Sequence, residues 1–539
     1  MLKHTFFTEV LLSNPYRLRL IVDYVQIYLE RKEKMIYCFN RGIGWASSGV
    51  EYAQAYRAKA FRNIGAKAKF VFTDMFRMEN METMTKAIGF ADSEVIWLYQ
   101  FFTDFHPGPC TVTEEDLIKT FPDQDFRRVE IRDGVQFVFP QTPNTFVNAF
   151  RSRGSGTCIQ RAEHVVNGYL LRTDYYSYGK MFSEFYAPKD GKAVLYQRRF
   201  YNEDGSTAYE EFVDGDRSMF RIGEKLIDSK ERLIGLLVKS LHLTERDVCI
   251  CDRSTEIGRG LFENRGAASL WIVIHADHYS KNATTQEEIL WNNYYEYDFT
   301  MAGEKNVVFI SSTEAQTELL TEQFARYWNV TPRMATIPVG ALKQLRHPAE
   351  GRKPFSLITA SRLAGEKHVD WIVEAVVQAR KALPELTLDI YGRGAAEGAL
   401  RDQIRQAGAE GYIHLCGHKD LTQVYENYEA YISGSTSEGF GLTLMEAVGS
   451  GLAMVGFDVP YGNPTFIDDG KNGCLLPYST DIDGKEAASR LAVGIQRLFS
   501  MDMTALHSRS YEIAEPYLER HVEERWKALL ESQNGEKKR

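Results

Sequence analysis

Ser437-Glu438-Gly439-Phe440-Gly441-Leu442-Thr443-Leu444-Met445-Glu446-Ala447-Val448-Gly449-Ser450-Gly451 is the stretch whose reading decides the fold. The β-forming residues Ala430, Tyr431 and Ile432 stand just before it, and the segment from Leu442 to Val448 suits a helix that stops at a glycine pair. The pattern predicts a strand, a glycine loop and a helix. The glycines beside Phe440 let the backbone come close to a ligand, and the free N–H groups of a helix start favour an anion such as phosphate. Glu438 and Glu446, eight residues apart, fall on the loop and about one turn into the helix, where they can grip different ends of one ligand. A plain glycine-rich connection with a solvated Glu and a helical Glu reads the same, so the surrounding chain has to separate the two.

The residues around it repeat the arrangement. Strand Phe355 to Thr359 leads into Ser361-Arg362-Leu363-Ala364-Gly365-Glu366-Lys367 and a helix from Val369. Strand Leu386 to Tyr391 leads into Gly392-Arg393-Gly394, and strand Tyr412 to Leu415 into Gly417-His418. Each strand end points a small or charged residue at one crevice. Arg362 and Lys367, five residues apart on a loop entering a helix, suit a diphosphate held by charge-assisted hydrogen bonds, although a surface Arg and Lys pair would look alike.

Further out, the same alternation opens the chain. Strand Met35 to Phe39, the loop Asn40-Arg41-Gly42-Ile43-Gly44-Trp45-Ala46-Ser47-Ser48-Gly49, a helix through Arg62 and strand Lys69 to Phe72 make a βαβ unit. Its glycines are spaced two and five apart and so miss the dinucleotide fingerprint. From about Phe105 to Arg221 period-2 stretches such as Val194-Leu195-Tyr196-Gln197-Arg198 dominate, separated by Asp133-Gly134, Asp204-Gly205 and Asp214-Gly215. This predicts an antiparallel meander inserted into an α/β domain, with exposed Arg and Tyr that suit a polypeptide or glycan, or only solvent. From Ser229 the helix and strand alternation resumes, and Ser269-Leu270-Trp271-Ile272-Val273-Ile274 runs into His275-Ala276-Asp277-His278. His275 thus stands at the carboxyl edge of a buried parallel strand, where such sheets bind ligands. A metal role for His275 and His278 is not expected, because no further His or Cys cluster follows nearby.

Composition sets the outer limits. A chain of 539 residues is too long for one core and divides into about two to four domains. At 44% hydrophobic and 25% charged it reads as ordinary globular protein, and a net charge of -9 weighs against nucleic-acid binding as the main activity. Its seven cysteines are scattered, odd in number and mostly within apolar runs, which suits reduced core residues; Cys249 and Cys251 lack a second ligand pair for zinc. Neither a membrane-length apolar run nor a signal peptide is found, so a cytoplasmic protein is expected. Between Arg17 and Arg31 polar positions recur at helical spacing, predicting an amphipathic helix that docks on the protein or lies on a membrane surface.

Two α/β halves, the Arg362 and Lys367 pair, and two glutamates flanking a glycine loop resemble the retaining, metal-independent GT-B glycosyltransferases. More narrowly, Gly42 to Tyr52, Leu195 to Tyr201, Ile289 to Asn293 and Thr465 to Gly470 resemble the GtfA-type catalytic subunits that start O-glycosylation of serine-rich repeat adhesins. The resemblance covers about Met35 to the C-terminus. It implies two Rossmann-like domains facing a cleft, with the meander inserted in the N-terminal one. The divisions expected are an extension at 1–34, an N-terminal domain in two parts at 35–104 and 228–345, and the inserted meander at 105–227. A nucleotide-sugar-binding domain at 346–516 and a C-terminal helix at 517–539 that crosses back complete the chain.

It implies a UDP-sugar donor carrying N-acetylglucosamine or glucose, Ser and Thr hydroxyls of an adhesin as acceptor, and a noncatalytic GtfB-like partner. No cofactor, metal or nucleic acid is implied, and peripheral contact with the inner face of the membrane stays open. Carried onto this chain, Glu446 holds the ribose and Arg362 and Lys367 hold the diphosphate. His275 and the backbone of Glu438, Gly439, Phe440 and Gly441 meet the sugar, Gly417 and His418 lie by the uracil, and Gly49, Val50, Glu51 and Tyr52 lie by the diphosphate. Arg362, Lys367, Glu438 and His275 form the expected catalytic set. The Asp-x-Asp pairs at Asp123 and Asp125, Asp214 and Asp216, and Asp481 and Asp483 read as turns. A noncatalytic scaffold of the same fold, or a transferase acting on a polyol phosphate wall polymer, are the alternatives.

Overall fold

The strands Val248–Cys251 and Ser269–Ile274 are buried along their whole length, as parallel strands covered on both faces must be. The computed structural model describes residues 34–43, 49–121 and 125–535. The expected amphipathic segment at the N-terminus, the loop positions 44–48 and Asp123 lie outside the described residues. A seven-stranded parallel sheet runs in the order Met334–Thr336, Val307–Ser311, Ser269–Ile274, Val248–Cys251, Met35–Asn40, Lys67–Phe72, Val95–Trp97. The order reverses between Met35–Asn40 and Val248–Cys251. Both strands therefore end at a switch point, where the connections diverge to opposite sides and leave a crevice at the carboxyl edge.

A second parallel sheet, six-stranded, follows the same plan: Ile413–Gly417, Thr387–Tyr391, Ser356–Ala360, Ala430–Ile432, Ala453–Phe457, Gly473–Leu476. Its switch point lies between Ser356–Ala360, which leads to Arg362, and Ala430–Ile432, which leads to Glu438. The two parallel sheets have separate apolar cores, one built on Trp97, Trp271 and Phe309, the other on Leu357, Leu388 and Val455. This two-lobed mixed α/β architecture is the expected one.

Between Val95–Trp97 and the helix Lys230–Ser240 the chain leaves the first lobe to form a ten-stranded antiparallel sheet, from Arg127–Ile131 to Lys225–Ile227, each strand pairing with its sequence neighbours. Asp133, Gly205 and Gly215 take positive φ at the turns. One face carries a row of rings. Tyr175 stacks on Phe182 at 4.3 Å, Phe182 on Phe200 at 5.4 Å, and Phe200 on Tyr209 at 4.3 Å. Tyr99 from the first lobe stacks on Phe200, and Tyr209 Oη donates to the Tyr99 carbonyl at 2.7 Å, which fixes the insertion to that lobe. One part of the expected meander differs: Glu114–Ile118 is a short helix, started by Thr113 and Asp116 bonding to each other's backbone N–H groups.

The last helix, Glu519–Gly535, packs on Gly49–Asn63 of the first lobe, with Trp526 edge-on to Phe61 at 5.2 Å and Arg57 over the Trp526 ring. Asp214 and Asp216 sit at a hairpin turn, and Asp483 caps the helix Gly484–Phe499 by accepting from Glu486 N. Among the described residues no helix is long and apolar enough to cross a membrane.

Candidate active site

The carboxyl edges of the two parallel sheets face one another across a cleft of about 600 Å³. The second lobe contributes Arg362, Lys367, Glu438, Gly439, Phe440 and Gly441, and the first contributes Gly49, Val50, Asp252 and His275. Lys367 Nζ donates to Glu438 Oε2 at 2.6 Å, with Ser435 Oγ 3.4 Å from the same oxygen. Arg362, largely exposed, bonds Glu366 Oε1 at 3.0 Å. Both cations therefore stand at the cleft wall with a carboxylate partner that a diphosphate would have to outbid. Glu438 is held through its backbone, its carbonyl accepting from Tyr461 N and Gly462 N at 2.7 Å each.

The helix Leu442–Gly449 starts on Gly441 at φ 85, and a Cβ there would lie 2.5 Å from Leu444 Cδ1, so glycine is required for the tight entry. A Cβ on Gly439 would lie 2.7 Å from the His275 carbonyl oxygen. The loop thus runs against the end of the first lobe's strand, bringing the helix N-terminus to the cleft. The Phe440 ring packs on Phe466 and Tyr517, so it offers the cleft its backbone.

His275 is fixed from two sides. Its backbone N and that of Ala276 donate to Tyr295 Oη at 2.9 and 3.0 Å, and its ring Nε2 lies 2.8 Å from Asp252 Oδ1. Burial alone would raise the Asp252 carboxyl, but the Arg57 charge and hydrogen bonds from His275 and Arg57 hold it well below the usual carboxylate range. His278 faces away from this set. Its Nε2 donates to Gln323 Oε1 at 2.7 Å, Nδ1 accepts from Tyr461 Oη at 3.1 Å, and burial pushes its pKa down to about 4. Among the described residues no group of three or more His, Cys, Asp or Glu side chains is arranged to hold a metal ion.

Glu446 does not share the cleft lined by Arg362 and Lys367. It lies one turn beyond Leu442 on the same helical face, which carries it into a separate hollow of about 260 Å³ with Tyr56, Lys59, Arg346, Asp420 and Tyr425. Tyr425 Oη donates to Glu446 Oε2 at 3.2 Å. Burial pushes the Glu446 carboxyl up to about 7, against the pull of Tyr425 and Arg346. Glu51, Tyr52, Gly417 and His418 are not among the described residues that line the cleft. Successive residues of a helix face different directions, so beyond Val50 the side chain of Glu51 turns inward to within 3.5 Å of Asn40 Nδ2 while Tyr52 is exposed. Gly417 ends its strand at φ 70 and His418 is exposed.

Sequence comparison places this geometry in a family. The chain is 49% identical over 498 residues to the UDP-N-acetylglucosamine–peptide N-acetylglucosaminyltransferase GtfA subunit of Streptococcus agalactiae, covering 92% of this chain and 98% of the relative. The chain belongs to the GtfA family. Residues 128–224 match the family model of the GtfA extended beta-sheet domain, and residues 354–493 that of glycosyl transferases group 1. The pneumococcal O-GlcNAc transferase GtfA, solved in complex with UDP and GlcNAc, superposes with a TM-score of 0.88 at 47% identity, covering 93% of this chain and 99% of that one. A GtfA/B complex superposes with a TM-score of 0.87 at 48% identity, covering 93% and 99%. These GtfA-family structures carry the GT-B architecture to this chain.

The sequence reading of this GtfA-family member passed over Asp252, Arg57, Gln54, Tyr295 and Tyr425. Asp252 directly follows the strand Val248–Cys251, the one signal that marks it in the sequence; its place at the switch point comes from the strand order. Arg57 and Gln54 read as ordinary helix polar residues, and only packing shows them buried.

Proposed function

We propose that the protein is a retaining glycosyltransferase that moves N-acetylglucosamine from UDP-N-acetylglucosamine to Ser and Thr hydroxyls of a serine-rich repeat adhesin, acting with a GtfB-like noncatalytic subunit. The observation that carries this reading is the convergence of Arg362, Lys367, Glu438 and His275 on one interlobe cleft, in a chain 49% identical to named transferase subunits.

Breaking the bond from the anomeric carbon to the phosphate oxygen leaves charge on the UDP phosphate. Arg362, Lys367 and the amides that open Leu442–Gly449 are preplaced donors for that charge. The acceptor hydroxyl attacks from the face the phosphate leaves, and its proton passes to a departing phosphate oxygen. His275 and the backbone of Glu438 to Gly441 orient the sugar. The nucleoside extends toward the hollow of Glu446, whose carboxylate takes the ribose hydroxyls, with Gly417 and His418 toward the uracil and Gly49 and Val50 toward the phosphates. A double displacement needs a carboxylate beside the anomeric carbon; Glu438 is the candidate, and its role here is taken to be positioning the sugar rather than nucleophilic attack.

The reaction is taken to need no metal, and the protein to work in the cytoplasm, with membrane contact left to residues 1–34. The domain divisions expected at 34, 104, 227, 345 and 516 are retained as part of this reading. Purified protein, its partner, an adhesin repeat and radiolabelled UDP-sugars test it: label on Ser or Thr supports transfer, and hydrolysis alone or no turnover with any UDP-sugar sinks it.

A further inference from the structure

Asp252 is buried at the switch point of the first sheet and accepts four side-chain hydrogen bonds. Arg57 donates through Nη1 to Oδ2 at 2.7 Å and through Nη2 to Oδ1 at 2.8 Å, Gln54 Nε2 donates to Oδ2 at 2.8 Å, and His275 Nε2 lies 2.8 Å from Oδ1. Its own backbone N is bound to the Phe39 carbonyl at 3.0 Å. A carboxylate so surrounded can only accept, so the His275 proton sits on Nε2. The other ring nitrogen, Nδ1, makes no hydrogen bond among the described residues, and His275 lines the cleft.

We infer that Asp252 is a positioning residue for the glycosyl transfer: with Arg57 and Gln54 it locks the His275 ring in the Nε2–H tautomer, so that Nδ1 meets the donor sugar as a hydrogen-bond acceptor. This deepens the proposed function and rests on His275 standing at the sugar. The arrangement resembles the buried carboxylate that orients a catalytic histidine in hydrolytic triads, where the amide variant presents the wrong tautomer. It differs in one respect that the structure makes plain. Arg57 is buried beside Asp252 and balances its charge, so the carboxylate acts by geometry and acceptor count rather than by placing an unbalanced negative charge at the ring. A sugar hydroxyl, which can donate, fits the nitrogen left over; a group that only accepts does not.

Two measurements test this. In the wild-type protein labelled with 15N-histidine, with His275→Asn used to assign the signal, the neutral His275 ring should carry its proton on Nε2; a proton on Nδ1 overturns the inference. This needs no variant of Asp252 to fold and no turnover, so it stands apart from the test of the transferase reading. Asp252→Asn can donate to the ring nitrogen and should lower kcat about 10²-fold with UDP affinity kept within about threefold. Asp252→Asn placed in a His275→Ala background should cost nothing further, because its effect passes through the ring. An equal loss in that background assigns Asp252 a role in stability alone and overturns the inference.

Discussion

Lys367 Nζ and Glu438 Oε2 lie 2.6 Å apart, joining two loops 71 residues apart in sequence across the floor of the interlobe cleft. Both side chains are largely buried, so the charges compensate each other in the free protein and water does little of that work. On the proposed reading, a diphosphate entering the cleft competes with Glu438 for the ammonium group. Lys367→Ala removes a preplaced cation and leaves Glu438 without its partner. Transfer is expected to fall about 10²- to 10³-fold, with a lowered melting temperature because Glu438 loses its buried partner, and steady-state assays with UDP-N-acetylglucosamine together with thermal melts check it.

With Glu446 at the ribose as proposed, donor binding should depend on pH. Burial pushes the Glu446 carboxyl up to about 7, whereas ribose hydroxyls bound to it would favour the ionised form. UDP affinity should therefore rise as pH goes from 5.5 to about 7 and level off above it, with up to one proton released on binding at pH 6. Calorimetry in two buffers of different ionisation enthalpy measures that proton. Glu446→Gln should bind UDP more weakly and lose the pH dependence.

On the proposed reading metal removal should leave turnover unchanged, since Arg362, Lys367 and the amides that open Leu442–Gly449 line the cleft as donors available to the phosphates. Assays after EDTA treatment check this. Strong inhibition that manganese reverses would assign the leaving-group role to a cation.

Asp298 carries a stability signature outside the cleft. It is buried, bonded to Ser254 Oγ at 2.9 Å, and its Oδ1 has no partner among the described residues. Burial pushes its pKa up to about 7 from an ordinary value of 3.8. The folded state then binds a proton that the unfolded chain has released, so stability is fully present below about 4 and falls as pH rises to about 7. Asp298→Asn removes that slope, and its advantage over wild type should grow by about 3 kcal/mol between pH 5 and pH 8. Thermal melts at the two pH values read the difference.

Trp526→Ala should loosen the last helix. The ring sits against Phe61 at 5.2 Å and Trp271 at 6.5 Å and is 4% exposed, so truncation leaves a cavity worth about 3 to 5 kcal/mol. Denaturant titration measures the loss, and a shift in midpoint without a change in slope confirms that the compact state is retained.

The chain by itself determined the alternation of strands and helices, the inserted meander and the glycine loop from Glu438 to Gly441, because hydrophobic period and turn chemistry are local properties. Arg362, Lys367 and His275 could be placed at strand ends for the same reason. Strand order was decided only in three dimensions. It sets Val248–Cys251 beside Met35–Asn40 and so brings Asp252 to His275, Arg57 and Gln54, residues that no spacing in the sequence relates. The rise of one helical turn likewise carries Glu446 from the cleft to its own hollow with Tyr425, and helix phase turns Glu51 inward, since which face of a helix is covered depends on what packs against it.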